Sequence, residues 1–95
     1  MKNIDVIKNF YDQKRGRSSN GNLFISFNTG LNRLELVNYS TVIAYIDLEE
    51  MVVNINLSKY SSTTSTIQTM ILDVGVEYNA SYKFRLYKGD WWKWI

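Results

Sequence analysis

Ninety-five residues, 45% of them hydrophobic and with three Trp, seven Tyr and four Phe, suit one domain with one compact core and do not describe a disordered chain. The chain has no cysteine and no histidine, which excludes disulfides, thiolate nucleophiles, thiolate metal sites and the commonest general base. The net charge of +2 is unevenly spread: residues 1–33 carry six basic and two acidic groups, residues 34–81 one basic and six acidic, and residues 82–95 four basic and one acidic. Two meanings fit basic ends around an acidic middle: a nucleic-acid binder, or ends that fold over the middle and neutralise it.

Ile4, Ile7, Phe10 and Tyr11 recur at helical spacing, which predicts a helix over residues 5–12, with Asn3 as its cap and Asp5 near the positive end of the dipole. Residues 13–21, QKRGRSSNG, have no apolar side chain and read as a flexible basic loop carrying Lys14, Arg15 and Arg17. NLFISF follows as a strand with Leu23, Ile25 and Phe27 on one face and Phe24 and Ser26 on the other. A turn at residues 28–30 leads into LNRLELV, with Leu34 and Leu36 inward and Arg33 and Glu35 outward. After a turn at residues 38–40, the β-branched run TVIAYID reads as a central strand buried on both faces. Asp47, Leu48, Glu49 and Glu50 make the next hairpin, and MVVNINL sets Val53, Ile55 and Leu57 against Asn54 and Asn56. Four strands joined by short turns make an antiparallel meander.

Ile67, Met70 and Ile71 then mark a helix over residues 64–73, capped by Ser62 or Thr63, with Gly75 suited to its stop. The tail reads as another hairpin: YKFRLYK, a turn at residues 88–90, then WWKWI. The fold class is therefore α+β: one domain over residues 1–95, an antiparallel sheet of four to six strands made of the meander and the C-terminal hairpin, and one or two helices on one face.

Several patterns carry no chemistry. Gly16 and Gly21 have the spacing of a phosphate loop, but Asn22 and Leu23 follow where that motif needs Lys and Ser or Thr, and a strand follows where a helix should. Asp47, Glu49 and Glu50 share one turn without the further acids of a calcium loop and read as a solvated hairpin. No apolar run approaches the ~20 residues of a membrane span, and the N-terminus lacks the apolar stretch of a signal peptide, so the expected address is the cytoplasm. Nothing points to a metal, a cofactor or an enzyme.

Two patterns are candidates for binding. Lys14, Arg15 and Arg17 on a loop can track a phosphate backbone or meet an acidic protein surface, and the plain alternative is a solvated loop. The tail interleaves Lys83, Arg85, Lys88 and Lys93 with Tyr82, Phe84, Tyr87, Trp91, Trp92 and Trp94. Aromatics between cations suit stacked bases, a protein interface or a homodimer contact, or they complete the core. On a strand Trp91 and Trp92 face opposite ways and Trp94 shares the face of Trp92, so at least one is exposed or covered by a helix.

Two blocks also stand out: VNYSTVIAYID at residues 37–47 and VNINLSKYSSTTSTIQ at residues 53–68. Together with the basic loop and Asn20, Gly21 and Asn22, they resemble a family of small phage and mobile-element proteins of Gram-positive bacteria. That family's pattern is a basic glycine-containing loop, a strand, NY-S/G-T-x-IA-Y, a hairpin, then N-x-x-KYS-x-TTS-x-x-Q. Asn38, Tyr39, Ser40, Thr41, Ile43, Ala44 and Tyr45 match the first block, and Lys59, Tyr60, Ser61, Thr63, Thr64, Ser65 and Gln68 the second. The likeness spans residues 14–70; the longer hairpin around residues 28–33 and the aromatic tail depart from it. It implies a protein that binds and blocks host machinery in the bacterial cytoplasm, an anti-CRISPR inhibitor of a Cas effector nuclease above all. The basic loop and the aromatic, basic tail support the alternative, a nucleic-acid-binding accessory protein. Lys59, Tyr60, Thr63 and Thr64 fall where a strand meets a helix N-terminus, so they suit an anion-holding site, or else a capping segment with Tyr60 in the core.

Overall fold

The computed structural model describes residues 1–88. Its elements in chain order are α1 (Asn3–Tyr11), β1 (Leu23–Asn28), β2 (Arg33–Asn38), β3 (Thr41–Asp47), β4 (Val52–Asn56), α2 (Ser62–Gly75), a 3-10 turn (Val76–Tyr78) and β5 (Lys83–Tyr87). The strands lie in sequence order in one five-stranded sheet, and the α+β class expected from the sequence holds. The first four strands form the antiparallel meander. Its turns are set locally. Asn28 Oδ1 accepts from Leu31 N–H, and Asn32 is left-handed. Tyr39 turns the next hairpin at φ 58°, and in the third Asp47 Oδ1 accepts from Glu49 and Glu50 N–H at 3.0 and 3.2 Å. That use of Asp47 is what a solvated hairpin requires.

The tail corrects one expectation. β5 pairs with β4 in parallel, Val53 opposite Phe84 and Ile55 opposite Leu86. A parallel neighbour needs a crossover, and α2 supplies it by carrying the chain back to the start of β4. The second arm of the expected hairpin, and with it Trp91, Trp92 and Trp94, lies outside the described residues.

Register assigns the faces. Leu23, Ile25, Leu34, Leu36, Ala44, Ile46, Val53, Ile55 and Phe84 share the face on which both helices pack. Val6, Ile7, Phe10 and Tyr11 of α1 and Ile67, Ile71 and Val74 of α2 complete that core. Each Val, Leu, Ile or Phe among them contributes about 1.5–3 kcal/mol when fully buried. A register shift at Leu36 and Val37 inserts Ile43 as an extra residue of β3, and Ile43 to Ile46 are all buried, as a central strand should be. On the opposite face Arg33 points outward as expected but is 8% exposed. Its Nε bonds Glu35 Oε2 at 2.8 Å, and its guanidinium lies 4.2 Å from the Tyr45 ring centroid.

The helix ends differ from the sequence reading. α1 begins at Asn3 after an N-cap at Lys2 that has no side-chain bond, so Asn3 is not the cap. α2 begins at Ser62, and its cap is Ser61, whose Oγ accepts from Thr64 N–H at 3.2 Å. Gly75 is not a left-handed stop: it is right-handed, and the chain runs straight into the 3-10 turn.

A tyrosine cluster ties these pieces together. Tyr11 stacks on Tyr78 with ring centroids 4.8 Å apart, Tyr11 Oη donates to Ile71 O at 2.7 Å, Tyr82 Oη donates to Tyr11 O, and Tyr78 Oη donates to Asp12 Oδ1 at 2.8 Å. Its hydrogen bond to Asp12, then burial, push the Tyr78 phenol up to about 12, and burial pushes Tyr11 up as well. Both phenols are harder to ionise folded than unfolded. The stability they contribute is therefore complete below the ordinary tyrosine value of 10.0 and is lost as pH climbs through the folded value. The urea midpoint should hold steady up to about pH 10 and fall above it, less steeply in Tyr78→Phe; a flat profile between pH 10 and 12 would refute the coupling.

Candidate functional site: a basic groove beside β1

The groove is opened by how the chain leaves α1. Gln13 takes φ 58° and reverses the chain, after which Lys14 N–H donates to Asn9 O and Asn9 Nδ2 donates to Arg15 O, both at 2.8 Å. Residues 14–15 are thus held against the end of the helix. The chain reaches β1 only at Gly16, whose carbonyl accepts from Ile25 N–H at 3.0 Å. A Cβ there would sit 3.3 Å from Ile25 Cδ1, so glycine suits the close approach. Ser18 N–H donates to Leu23 O at 2.8 Å, and Arg17 pairs opposite Phe24 with its guanidinium 4.9 Å from that ring's centroid. Ser18 Oγ accepts from Leu23 N–H, and Gly21 closes the turn at φ 77°. The loop read as flexible is pinned along half of the strand edge.

Where the loop stands off, a hollow of about 700 Å³ remains, walled by Gln13, Lys14, Arg15, Gly16 and Arg17 on one side and by Phe24, Ile25, Ser26, Phe27 and Leu34 on the other. Its walls carry three cations and no carboxylate. Among the described residues the one ion pair is Arg33 with Glu35, so none of the three cations is spent on an internal acid. Of the basic groups in residues 1–33, Arg33 alone pairs with an acid of the middle, Glu35, among the described residues.

The strand edge contributes too. Ile25 N–H points outward to Gly16, so by alternation the N–H and C=O of Phe27 point outward as well. Among the described residues no backbone or side-chain partner meets them. The Phe27 ring, placed inward by alternation, is 53% exposed. Nine residues of α1 reach ~13 Å, whereas six of β1 reach ~20 Å, so the helix cannot cover the strand's end. Phe27 and the positioning role of Asn9 were missed from sequence. The mismatch in lengths was the available signal for Phe27; Asn9 had none.

The second candidate set lies elsewhere. None of Lys59, Tyr60, Thr63 and Thr64 lines the groove. Thr64 is 5% exposed, its hydroxyl donates to Asn38 Oδ1 at 2.8 Å and is thus engaged within the fold, and the N-terminal turn of α2 is capped by Ser61. Gln68 Nε2 reaches back to Asn56 O at 2.7 Å and Ser58 O at 3.0 Å. Asn56 Nδ2 donates to Tyr60 Oη at 2.9 Å, which fixes Tyr60 at the surface rather than in the core. Lys59 and Thr63 are exposed. Thr64 and Gln68 tie α2 to β2 and to the exit of β4.

A smaller apolar hollow of about 320 Å³ lies between Leu72, Val76, Phe84 and Leu86. Among the described residues no group of three or more acids could hold a metal ion, and no helix is long and apolar enough to cross a membrane. Comparison with protein-family models, with curated proteins and with solved structures returns no match to this chain.

Proposed function

We propose that this chain is a phage- or mobile-element-encoded binding protein that acts in the bacterial cytoplasm by occupancy rather than turnover. In this reading it inhibits a host defence protein, a CRISPR–Cas effector nuclease being the concrete case, and docks through Lys14, Arg15 and Arg17. The observation that carries the reading is the groove: three cations with no ion pair among the described residues, held around an open strand end, with an exposed phenylalanine beside them. Cations in such a setting steer and hold an acidic surface. The resemblance of the two sequence blocks to small phage proteins supports the choice of partner.

The test is a cleavage assay with purified Cas effectors and graded amounts of the chain. Inhibition should saturate near one chain per nuclease. The triple variant Lys14→Glu, Arg15→Glu, Arg17→Glu should weaken it about 100-fold, since lost and reversed charge pairs at a contact cost several kcal/mol. Full cleavage at large molar excess across several effectors overturns the reading.

The same cations beside Phe24 and Phe27 favour a second reading, single-stranded nucleic acid with bases on the rings. It requires retention on a single-stranded DNA column that falls steeply with salt, and no retention at low salt removes it.

A further inference from the structure

We infer that the groove takes an extended acidic segment of the partner protein as an added strand along the free end of β1. This deepens the inhibitor reading and rests on its choice of the groove as the contact.

A strand with unpaired edge groups is a template for another strand. Here the template is short and bounded. Gly16 and Ser18 already occupy the edge opposite Ile25 and Leu23, and the outward N–H and C=O of Phe27 come next. An incoming segment would continue the line of residues 16–18, antiparallel to β1, in the space that Asn9 keeps open by holding back Lys14 and Arg15. Its backbone would satisfy Phe27. Its side chains would alternate between the two faces of the sheet. On the helix face they would meet Ile25, Leu34 and the exposed Phe27 ring, which suits apolar residues. The remaining positions face the Phe24 and Ser26 side, beside Arg17, where Glu35 opposite Ser26 is already held by Arg33 and Asn28, which suits Glu or Asp. Alternation of acidic and apolar residues is thus the chemistry the groove recognises. Nucleic acid would use the same cations but has no use for a strand's N–H and C=O in register.

The probe is a fluorescein-labelled peptide, Val-Glu-Val-Glu-Val, with Val-Lys-Val-Lys-Val and an oligothymidine as comparisons. The acidic peptide should bind saturably by anisotropy, and the Phe27 amide should become protected from hydrogen exchange. Lys14→Glu with Arg15→Glu should weaken binding about tenfold or more. Phe27→Pro, which deletes the outward N–H, should do the same while leaving the circular dichroism unchanged. Equal binding of the lysine peptide, displacement by the oligothymidine, an unprotected Phe27 amide or no saturable binding would each overturn the inference. If the charge reversals abolish nuclease inhibition and Phe27→Pro leaves it intact, strand addition fails and the inhibitor reading stands. If the peptide adds at β1 and no effector is inhibited, the opposite holds.

Discussion

Gln68→Leu should lower the free energy of unfolding by about 2–4 kcal/mol, read as a fall in the urea midpoint at unchanged slope. Gln68 is 6% exposed, and its amide donates to two main-chain carbonyls, Asn56 O at the end of β4 and Ser58 O just past it. Leucine is close to glutamine in size and lacks the donor. The volume survives, and what is lost is the pairing of two acceptors, one of them in buried surroundings; an orphaned buried acceptor costs ~1–3 kcal/mol. The loss also frees the exit of β4 from α2, the helix that brings β5 into place. Thr63→Ala, one turn earlier on an exposed position, supplies the control and should stay within about 0.5 kcal/mol. A Gln68→Leu change of that same small size would mean that water replaces the amide at no cost.

The same residues show why the two sequence blocks left a binding site and a capping segment both open. Blocks that stand out without catalytic groups invite a binding role. In the fold they touch: Asn38 of the first accepts from Thr64 of the second, and Asn38 Nδ2 donates to Asn22 O beside the basic loop. Asn, Thr and Gln at these positions satisfy backbone and one another across a separation of 26 residues. A linear reading supplies the residue types but not their partners, and a buried polar network has the same composition as a polar surface.

Strand faces were legible because alternation has a period of two, and Leu23, Leu36, Val53 and Ile55 came out buried as expected. Alternation carries no direction, so the parallel pairing of β5 was not. Only the placement of α2 between β4 and β5 signals it, and that needs the crossover rule rather than the pattern in residues 82–87. Outward positions misled in a second way. Arg33, Asn54 and Asn56 fall on the face away from the helices, yet all three are buried. Charge alone located the basic loop, but the groove depends on Asn9 holding the loop off β1, six residues from its partner Arg15.

Gly75→Ala should destabilise the protein by about 1–3 kcal/mol, against the gain of about 1 kcal/mol that helix propensity assigns to alanine over glycine. The backbone there is ordinary helix, φ −58°, so alanine meets no conformational strain. Space decides the sign. A Cβ at this position would lie 2.7 Å from Tyr11 Oη and 3.1 Å from the Phe84 ring. The hydroxyl cannot move aside cheaply, because it donates to Ile71 O and its ring is stacked on Tyr78. Phe84 belongs to β5, so displacing it loosens the parallel edge of the sheet. Tyr11→Phe removes the oxygen that the methyl would strike, at a cost of about 1 kcal/mol for the lost bond. In the Tyr11→Phe background, Gly75→Ala should therefore cost clearly less than in the parent, and the difference between the two costs is the coupling read from a double-mutant cycle. Strict additivity would place the damage at Phe84 alone, and a stabilised Gly75→Ala single variant would show that the contact between α1, α2 and β5 is looser than these distances describe.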